Sequence, residues 1–205
     1  MLEVQGLGCI RGSRQLFGNL SFSLHPSELL HIQGPNGSGK TSLLRILTGL
    51  SRPDAGEIFW QGDNIREVRE TYASSLLYLG HQPAVKDDLS AAENLEYAVQ
   101  IAGIEPSRRK LEEALDAVGL GTRQRLLARF LSQGQRRRLS LARLWLEQRS
   151  LWILDEPFTA LDVQATLLLE ARLEAHLAEG GMVVLTTHQS PAIADGYVRV
   201  LSLDA

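Results

Sequence analysis

The chain has 205 residues, 44% hydrophobic and 22% charged, a composition that excludes disorder and collagen-like repeats and leaves room for one domain with a smaller subdomain attached. Its single cysteine, Cys9, excludes a disulfide framework and fits a reducing compartment. A net charge of −3 argues against a nucleic-acid partner, and no stretch reads as a bilayer span or a signal peptide. The charge is uneven, however: between Ser107 and Arg149 eleven Lys or Arg face four Asp or Glu. Such a stretch suits an anionic surface such as lipid headgroups or, more simply, the solvated faces of Arg-bearing helices.

The opening reads as strands, with apolar residues alternating through Leu16, Leu20, Phe22 and Leu24, followed by a short buried run at Leu29–Ile32. Gly34 to Gly39 breaks that run, and Thr41–Leu47 continues with helical spacing. Gly56–Gly62 reads as a strand closed by a turn, and Leu76–Leu79 as another strand. Ser90-Ala-Ala-Glu93 is a capping box opening a helix that Gly103 stops. A second helix runs from about Ser107 to Val118, and a third follows Gly134 to Leu146. Beyond these come a buried strand at Leu151–Leu154, a helix over 163–178, a buried strand at Met182–Leu185 and a last strand at Val198–Leu203. Apolar strands alternating with helices predict an α/β fold with a mostly parallel sheet, a single domain over 1–205 with a helical block of about 85–148 inserted.

Gly34-Pro35-Asn36-Gly37-Ser38-Gly39-Lys40-Thr41 fits the G-x-x-x-x-G-K-[ST] phosphate loop and lies between a strand and a helix, as that motif requires. Glycines let successive backbone N–H groups converge on phosphate oxygens, and the following helix adds its positive end. Lys40 supplies a point charge to the β- and γ-phosphates of ATP, and the Thr41 hydroxyl is a ligand for Mg²⁺. Leu151-Trp-Ile-Leu-Asp-Glu156 places two carboxylates at the C-terminal end of a buried strand, where open α/β sheets bind ligands. Asp155 there would hold the Mg²⁺ through water, and Glu156 has the position of a general base for attacking water.

A phosphate loop with an acidic strand end still fits a kinase, a GTPase or a helicase core. Leu131-Ser-Gln-Gly-Gln135, followed by Arg136-Arg-Arg-Leu-Ser-Leu-Ala-Arg143, separates them, because it resembles the LSGGQ signature of ATP-binding cassette ATPases. Gln82 after the Leu76–Leu79 strand resembles the Q-loop glutamine, Thr159-Ala-Leu-Asp162 the D-loop, and Thr187-His188 the switch histidine. The resemblance covers essentially the whole chain. It implies a P-loop cassette with a mostly parallel core sheet, an N-terminal antiparallel β part and an inserted helical subdomain. It also implies a head-to-tail dimer in which Ser132 and Gly134 of one copy close on ATP held by Lys40 of the other, with Asp162 at the seam. His188 would hold the γ-phosphate and the attacking water, and Gln82 would contact the metal and report the nucleotide state to the helical block. His25, His31, His81 and His176 lack such support and read as structural.

Two positions depart from the family pattern. The third signature residue is Gln133 rather than Gly, and counting back to the usual base-stacking aromatic gives Arg11, whose guanidinium plane stacks on adenine by cation–π contact, with Phe17 as the alternative. Leu47–Glu57, Gly80–Pro83, Ala142–Leu146, Leu151–Thr159 and Thr186–Gln189 resemble most closely the ATP-binding subunits of the haem-exporter type in cytochrome c maturation. That resemblance implies a peripheral protein on the cytoplasmic face of the bacterial inner membrane. It would pair with integral membrane subunits and power haem export or release of a haem-loaded chaperone. The coupling surface would include Pro83–Leu89 and the helix opening at Ser90. With no C-x-x-C-H and no haem-ligand pair, the chain is expected to supply energy rather than bind haem. An ABC transporter for another substrate and a soluble cassette switch are the alternatives.

Overall fold

The computed structural model describes residues 1–189, 191–194 and 196–203. Strands β1 (Leu2–Arg11), β2 (Arg14–Leu24) and β3 (Leu29–Gln33) lead into helix α1 (Lys40–Leu47). Strands β4 (Ala55–Trp60) and β5 (Asp63–Asn64), helix α2 (Arg69–Ser75) and strand β6 (Leu76–Leu79) follow. Helices α3 (Ala91–Ile101), α4 (Arg108–Ala117) and α5 (Gln133–Leu141) precede β7 (Leu151–Asp155), α6 (Val163–Ala178), β8 (Met182–Thr186) and β9 (Val198–Ser202). The chain divides into two compact units, the first built from Met1–Tyr78, Arg149–Glu156 and the chain from Glu174 onward, the second from Leu79–Gln148 and Pro157–Leu173.

The first unit carries an antiparallel sheet in the order β2-β1-β4-β5 and a second sheet in the order β6-β7-β8-β3-β9, in which β3, β7, β8 and β9 run parallel. Every residue of β7 and β8 is buried, so both strands read as unbroken apolar runs rather than alternating ones. Leu43, Leu44, Ile46 and Leu47 of α1 are buried in one cluster with Leu151 and Ile153 of β7, Val184 of β8 and Leu2, Leu7 and Leu24 of the antiparallel sheet. Each such leucine contributes about 1.5–3 kcal/mol by leaving water, so α1 and the loop before it are held by the core rather than by local propensity.

Helix α2 has no counterpart among the predicted elements. Tyr72 is its only buried residue, so no helical period marks it. Tertiary contacts place it: the Tyr72 ring lies 5.6 Å from that of Trp60, and its hydroxyl donates to the Leu47 carbonyl at 2.6 Å. Burial pushes the Tyr72 phenol well above its ordinary pKa, which keeps it a donor.

In the second unit α3, α4 and α5 pack around Leu95, Val99, Leu111, Leu115 and Leu139. The Ser90 capping box forms as predicted: Glu93 N donates to Ser90 Oγ at 3.3 Å, and Ser90 N donates to Glu93 Oε2 at 2.7 Å. The Ser90 hydroxyl, which donates to Glu93 Oε2 at 2.6 Å, and then the Ser90 N–H hold the Glu93 carboxyl below its usual range. The unit is wider than a block of 85–148 because the first part of α6 belongs to it: Ala165, Leu168 and Leu169 line one small cavity with Val118, Leu141 and Trp145. Arg172 Nε donates to the Leu144 carbonyl at 3.0 Å, and Arg137 Nε to that of Pro157 at 3.2 Å. The third helix begins at Gln133, earlier than the glycine-based expectation, and tightens to a 3-10 turn over Ala142–Trp145.

Candidate active site

The loop from Gly34 to Gly39 leaves the end of β3 and runs into α1, with Leu43 N closing on the Gly39 carbonyl at 2.8 Å. Gly34 sits at φ +152°, and a Cβ there would lie 2.6 Å from Ser38 Oγ and 2.7 Å from the Leu203 carbonyl. Only glycine fits that close approach. Gly39 caps α1 without any side-chain bond, so the first-turn N–H groups keep their donors. Ser38 Oγ is buried with no hydrogen-bond partner among the described residues, which leaves it able to bond a ligand of the loop. Lys40 Nζ donates to the carbonyls of Gly34 at 2.6 Å and Pro35 at 3.2 Å, which holds its charge over the loop. Pro35, Asn36 and Gly37 are exposed along the loop's outer edge.

Opposite the start of α1 stands the end of β7. Thr41 Oγ1 donates to Asp155 Oδ2 at 3.0 Å, so two hard oxygen donors meet across 114 residues of sequence. Sites for Mg²⁺ draw on one or two carboxylates together with substrate phosphates, and this pair fits that donor set. Asp155 is only 2% exposed, and its other oxygen, Oδ1, accepts from Thr186 Oγ1 at 2.8 Å. That hydroxyl in turn accepts from Glu156 N at 3.0 Å. Thr186 is thus a site residue that motif matching missed; the visible signal was a lone hydroxyl closing the apolar run of β8.

Glu156 adopts φ +51°, the left-handed region that costs a non-glycine residue of order 1–3 kcal/mol. Its N–H also donates to the Thr186 carbonyl at 3.1 Å, so two bonds from one residue hold the strained turn. The turn brings Glu156 Oε1 within 3.5 Å of His188 Nε2; the glutamate side chain is 12% exposed and the histidine 64%. A shielded carboxylate facing an accessible imidazole is an arrangement able to orient and polarise water.

Gln82, Ser132, Gly134 and Asp162 lie in the second unit. Gln82 is exposed just after β6. Ser132 is the N-cap of α5: its Oγ accepts from Gln135 N at 3.3 Å, while Gln135 Oε1 accepts from Ser132 N at 3.0 Å. Because the cap uses only an acceptor lone pair, the Ser132 hydroxyl proton remains able to donate. Asp162 caps α6 in the same manner, its Oδ1 accepting from Ala165 N at 2.8 Å.

Residues 17–159 match the family model described as ABC transporter. The chain belongs to the ABC transporter family. The chain is 55% identical to a cytochrome c biogenesis ATP-binding export protein CcmA of Nitrosomonas europaea, over 99% of its own length and 95% of that protein's. It is 48% identical to the protein of the same name from Escherichia coli O157:H7, over 99% and 96% of the two lengths. Among solved structures, an ABC transporter ATP-binding protein from Pyrococcus furiosus superposes with a TM-score of 0.83 at 24% identity, covering 98% of this chain and 96% of that one. A dimeric ATP-binding cassette in a post-hydrolysis state, bound to ADP and Pi, superposes with a TM-score of 0.78 at 23% identity, covering 92% and 88%.

Within this ABC cassette the two departures acquire structural readings. Gln133 is the first residue of α5 with ordinary helical backbone, so its side chain costs the signature nothing in conformation. Gly134 differs: a Cβ there would stand 2.6 Å from the Ala160 carbonyl. Gly134→Ala is therefore expected to destabilise the second unit by about 1–3 kcal/mol, while Gln133→Ala changes stability by no more than about 0.5 kcal/mol. Urea titrations of both variants check this pair. Arg11, the adenine-stacking candidate, is exposed near the β1–β2 turn, its guanidinium donating to the Ile10 carbonyl at 3.1 Å. Phe17 is buried, with its ring against Gly39 of the phosphate loop.

The basic stretch is largely consumed within its own unit. Arg108 and Arg109 pair with Glu112 and Glu113, Arg129 with Asp88, Arg136 with Asp87 and Arg143 with Glu147. Arg137 is buried and donates to backbone carbonyls of Gly80 and Pro157. These pairings support the simpler reading of solvated helical faces. They also tie the carboxylates of the Pro83–Leu89 segment to α5 and the turn before it, so charge reversal at Asp87 and Asp88 would disturb the signature helix as well as the surface.

Proposed function

We propose that this chain is the ATP-hydrolysing subunit of an ABC exporter acting in cytochrome c biogenesis. The observation that carries the hydrolytic part is the convergence, inside one compact unit, of the Lys40 loop, the Thr41–Asp155 contact at 3.0 Å and the Glu156–His188 pair at 3.5 Å. The similarity to the CcmA proteins supports the biogenesis part.

In this reading Gly34 to Gly39 and Lys40 bind the phosphates, and Thr41 and Asp155 are the residues that would hold Mg²⁺, which would supply neutralising charge to those phosphates. Glu156 accepts a proton from the attacking water, and His188 orients that water and the γ-phosphate. Ser132 and Gly134 complete the site from a second copy in a head-to-tail dimer, each signature meeting the partner copy's phosphate loop, with Asp162 at the seam. The superposed cassette is itself dimeric, which supports the presence of a second copy. Either Arg11 or Phe17 stacks on adenine. No described helix is long and apolar enough to cross a membrane. In this reading integral membrane subunits are the partners and the chain works peripherally at the inner membrane, and the similarity to the CcmA export proteins supports both points. Through those subunits the chain drives haem export or chaperone release without ligating haem itself.

Expression with and without the membrane subunits of the same system tests this. The untagged chain should sediment with membranes only when those subunits are present and should co-purify with them in detergent. A pool that stays in the supernatant in both cases would favour the soluble switch.

A further inference from the structure

His31 lies on β3, three residues before the phosphate loop, and is only 3% exposed. Both ring nitrogens are engaged. Nε2 is 3.1 Å from the Thr187 carbonyl, and because a carbonyl only accepts, Nε2 must carry the proton. Nδ1 is therefore the acceptor, and Gln33 Nε2 donates to it at 3.2 Å. The chain Gln33–His31–Thr187 fixes one tautomer and one ring orientation.

The carbonyl it reaches belongs to the peptide unit that continues into His188. A peptide is planar, so holding the Thr187 oxygen also sets the direction of the His188 N–Cα bond, leaving mainly φ and the side-chain torsions to vary. The neighbouring groups leave little slack. Thr186, one residue earlier, is clamped by Asp155 and Glu156, and Thr187 Oγ1 accepts from Gln189 N at 3.1 Å, one residue beyond His188. His188 itself is the accessible member, 64% exposed and 3.5 Å from Glu156. An exposed imidazole gains from any constraint that pre-sets its backbone, since orientation is what a γ-phosphate contact needs.

We propose that His31 is a positioning residue for ATP hydrolysis: by holding the Thr187 carbonyl from the strand that feeds the phosphate loop, it aims His188 at the γ-phosphate. The proposal rests on the reading of His188 as the residue that orients the γ-phosphate and water. It makes the strand before the phosphate loop and the turn after β8 parts of one rigid frame, so that the loop and the histidine keep their distance.

The test uses the full chain, with ATP turnover at saturating Mg·ATP and nucleotide affinity by equilibrium binding measured on the same preparations. Glutamine places an amide N–H near the reach of Nε2, whereas asparagine falls short, and both are polar enough to sit where histidine sat. His31→Gln should keep kcat within about twofold, and His31→Asn should lower it about tenfold, the size of one hydrogen bond, with Kd for ATP unchanged. In a His188→Ala background His31→Asn should cause no further loss, because two residues acting through one group are not additive. Wild-type kcat in His31→Asn, loss of affinity instead of turnover, or an additional loss in the His188→Ala background would each overturn the proposal. Wild-type turnover in His188→Ala alone would remove the reading of His188 and the proposal with it, a result distinguishable from failure of His31 alone.

Discussion

Replacing Glu156 with glutamine is expected to lower ATP turnover by about 10²–10⁴-fold while leaving nucleotide affinity near that of the parent chain. The amide keeps the shape and the hydrogen-bonding reach of the carboxylate but takes no proton from water. The strained φ of +51° and the two bonds that the residue's N–H donates to Thr186 do not depend on the side-chain charge, so the local backbone should persist. The His188 contact at 3.5 Å also survives as a polar contact. With hydrolysis blocked and ATP still bound, the signature of one copy should stay closed on the phosphates of the other. Sizing in the presence of ATP should then show a dimer that the parent chain populates only transiently. Single-turnover measurements separate the chemical step from product release. Turnover at the parent rate in Glu156→Gln would assign the base to another group.

Lys40→Ala is expected to weaken ATP binding by about ten- to a hundredfold, since a charge-assisted bond to phosphate contributes about 1.5–3 kcal/mol, and to lower turnover further still. The ammonium bonds to the carbonyls of Gly34 and Pro35, both on the loop and neither among the buried residues of the core. Its removal therefore costs little fold stability: the melting temperature should stay within a few degrees of the parent value. Equilibrium binding of a fluorescent ATP analogue and a thermal scan on one preparation read both effects. Parent affinity in this variant would separate the loop from nucleotide binding. A large fall in melting temperature would instead mean that Lys40 is chiefly a brace for its own loop.

The parts of the molecule most legible in the sequence are those in which local chemistry and tertiary role coincide. Residues 34–41 read as a phosphate loop because glycine is demanded by backbone geometry that no neighbour could supply. Leu151–Leu154 and Met182–Leu185 read as buried strands because burial on both faces forces unbroken apolar runs. Ser90 and Glu93 announce a helix start because the capping bonds lie within three residues. The start of α5 is legible too, since Ser132 and Gln135 have the same spacing, although an expectation that the helix follows Gly134 places its boundary too late.

Where meaning comes from contacts distant in sequence, the residues are silent. Tyr72 shows no helix until Trp60 and the Leu47 carbonyl are beside it. Thr186 is one hydroxyl at the end of an apolar strand until the turn after β7 brings Asp155 and Glu156 to it, 31 and 30 residues away. His31 passes for an ordinary core histidine until β8 pairs beside β3 and delivers the Thr187 carbonyl from 156 residues off. The family and most of the order of the elements are thus legible in residue type at fixed short spacings. The hydrogen bonds that hold the backbone beside Glu156 and His188 are decided by strand pairing in the parallel sheet, because a hydrogen bond between residues so far apart leaves no periodicity in the chain.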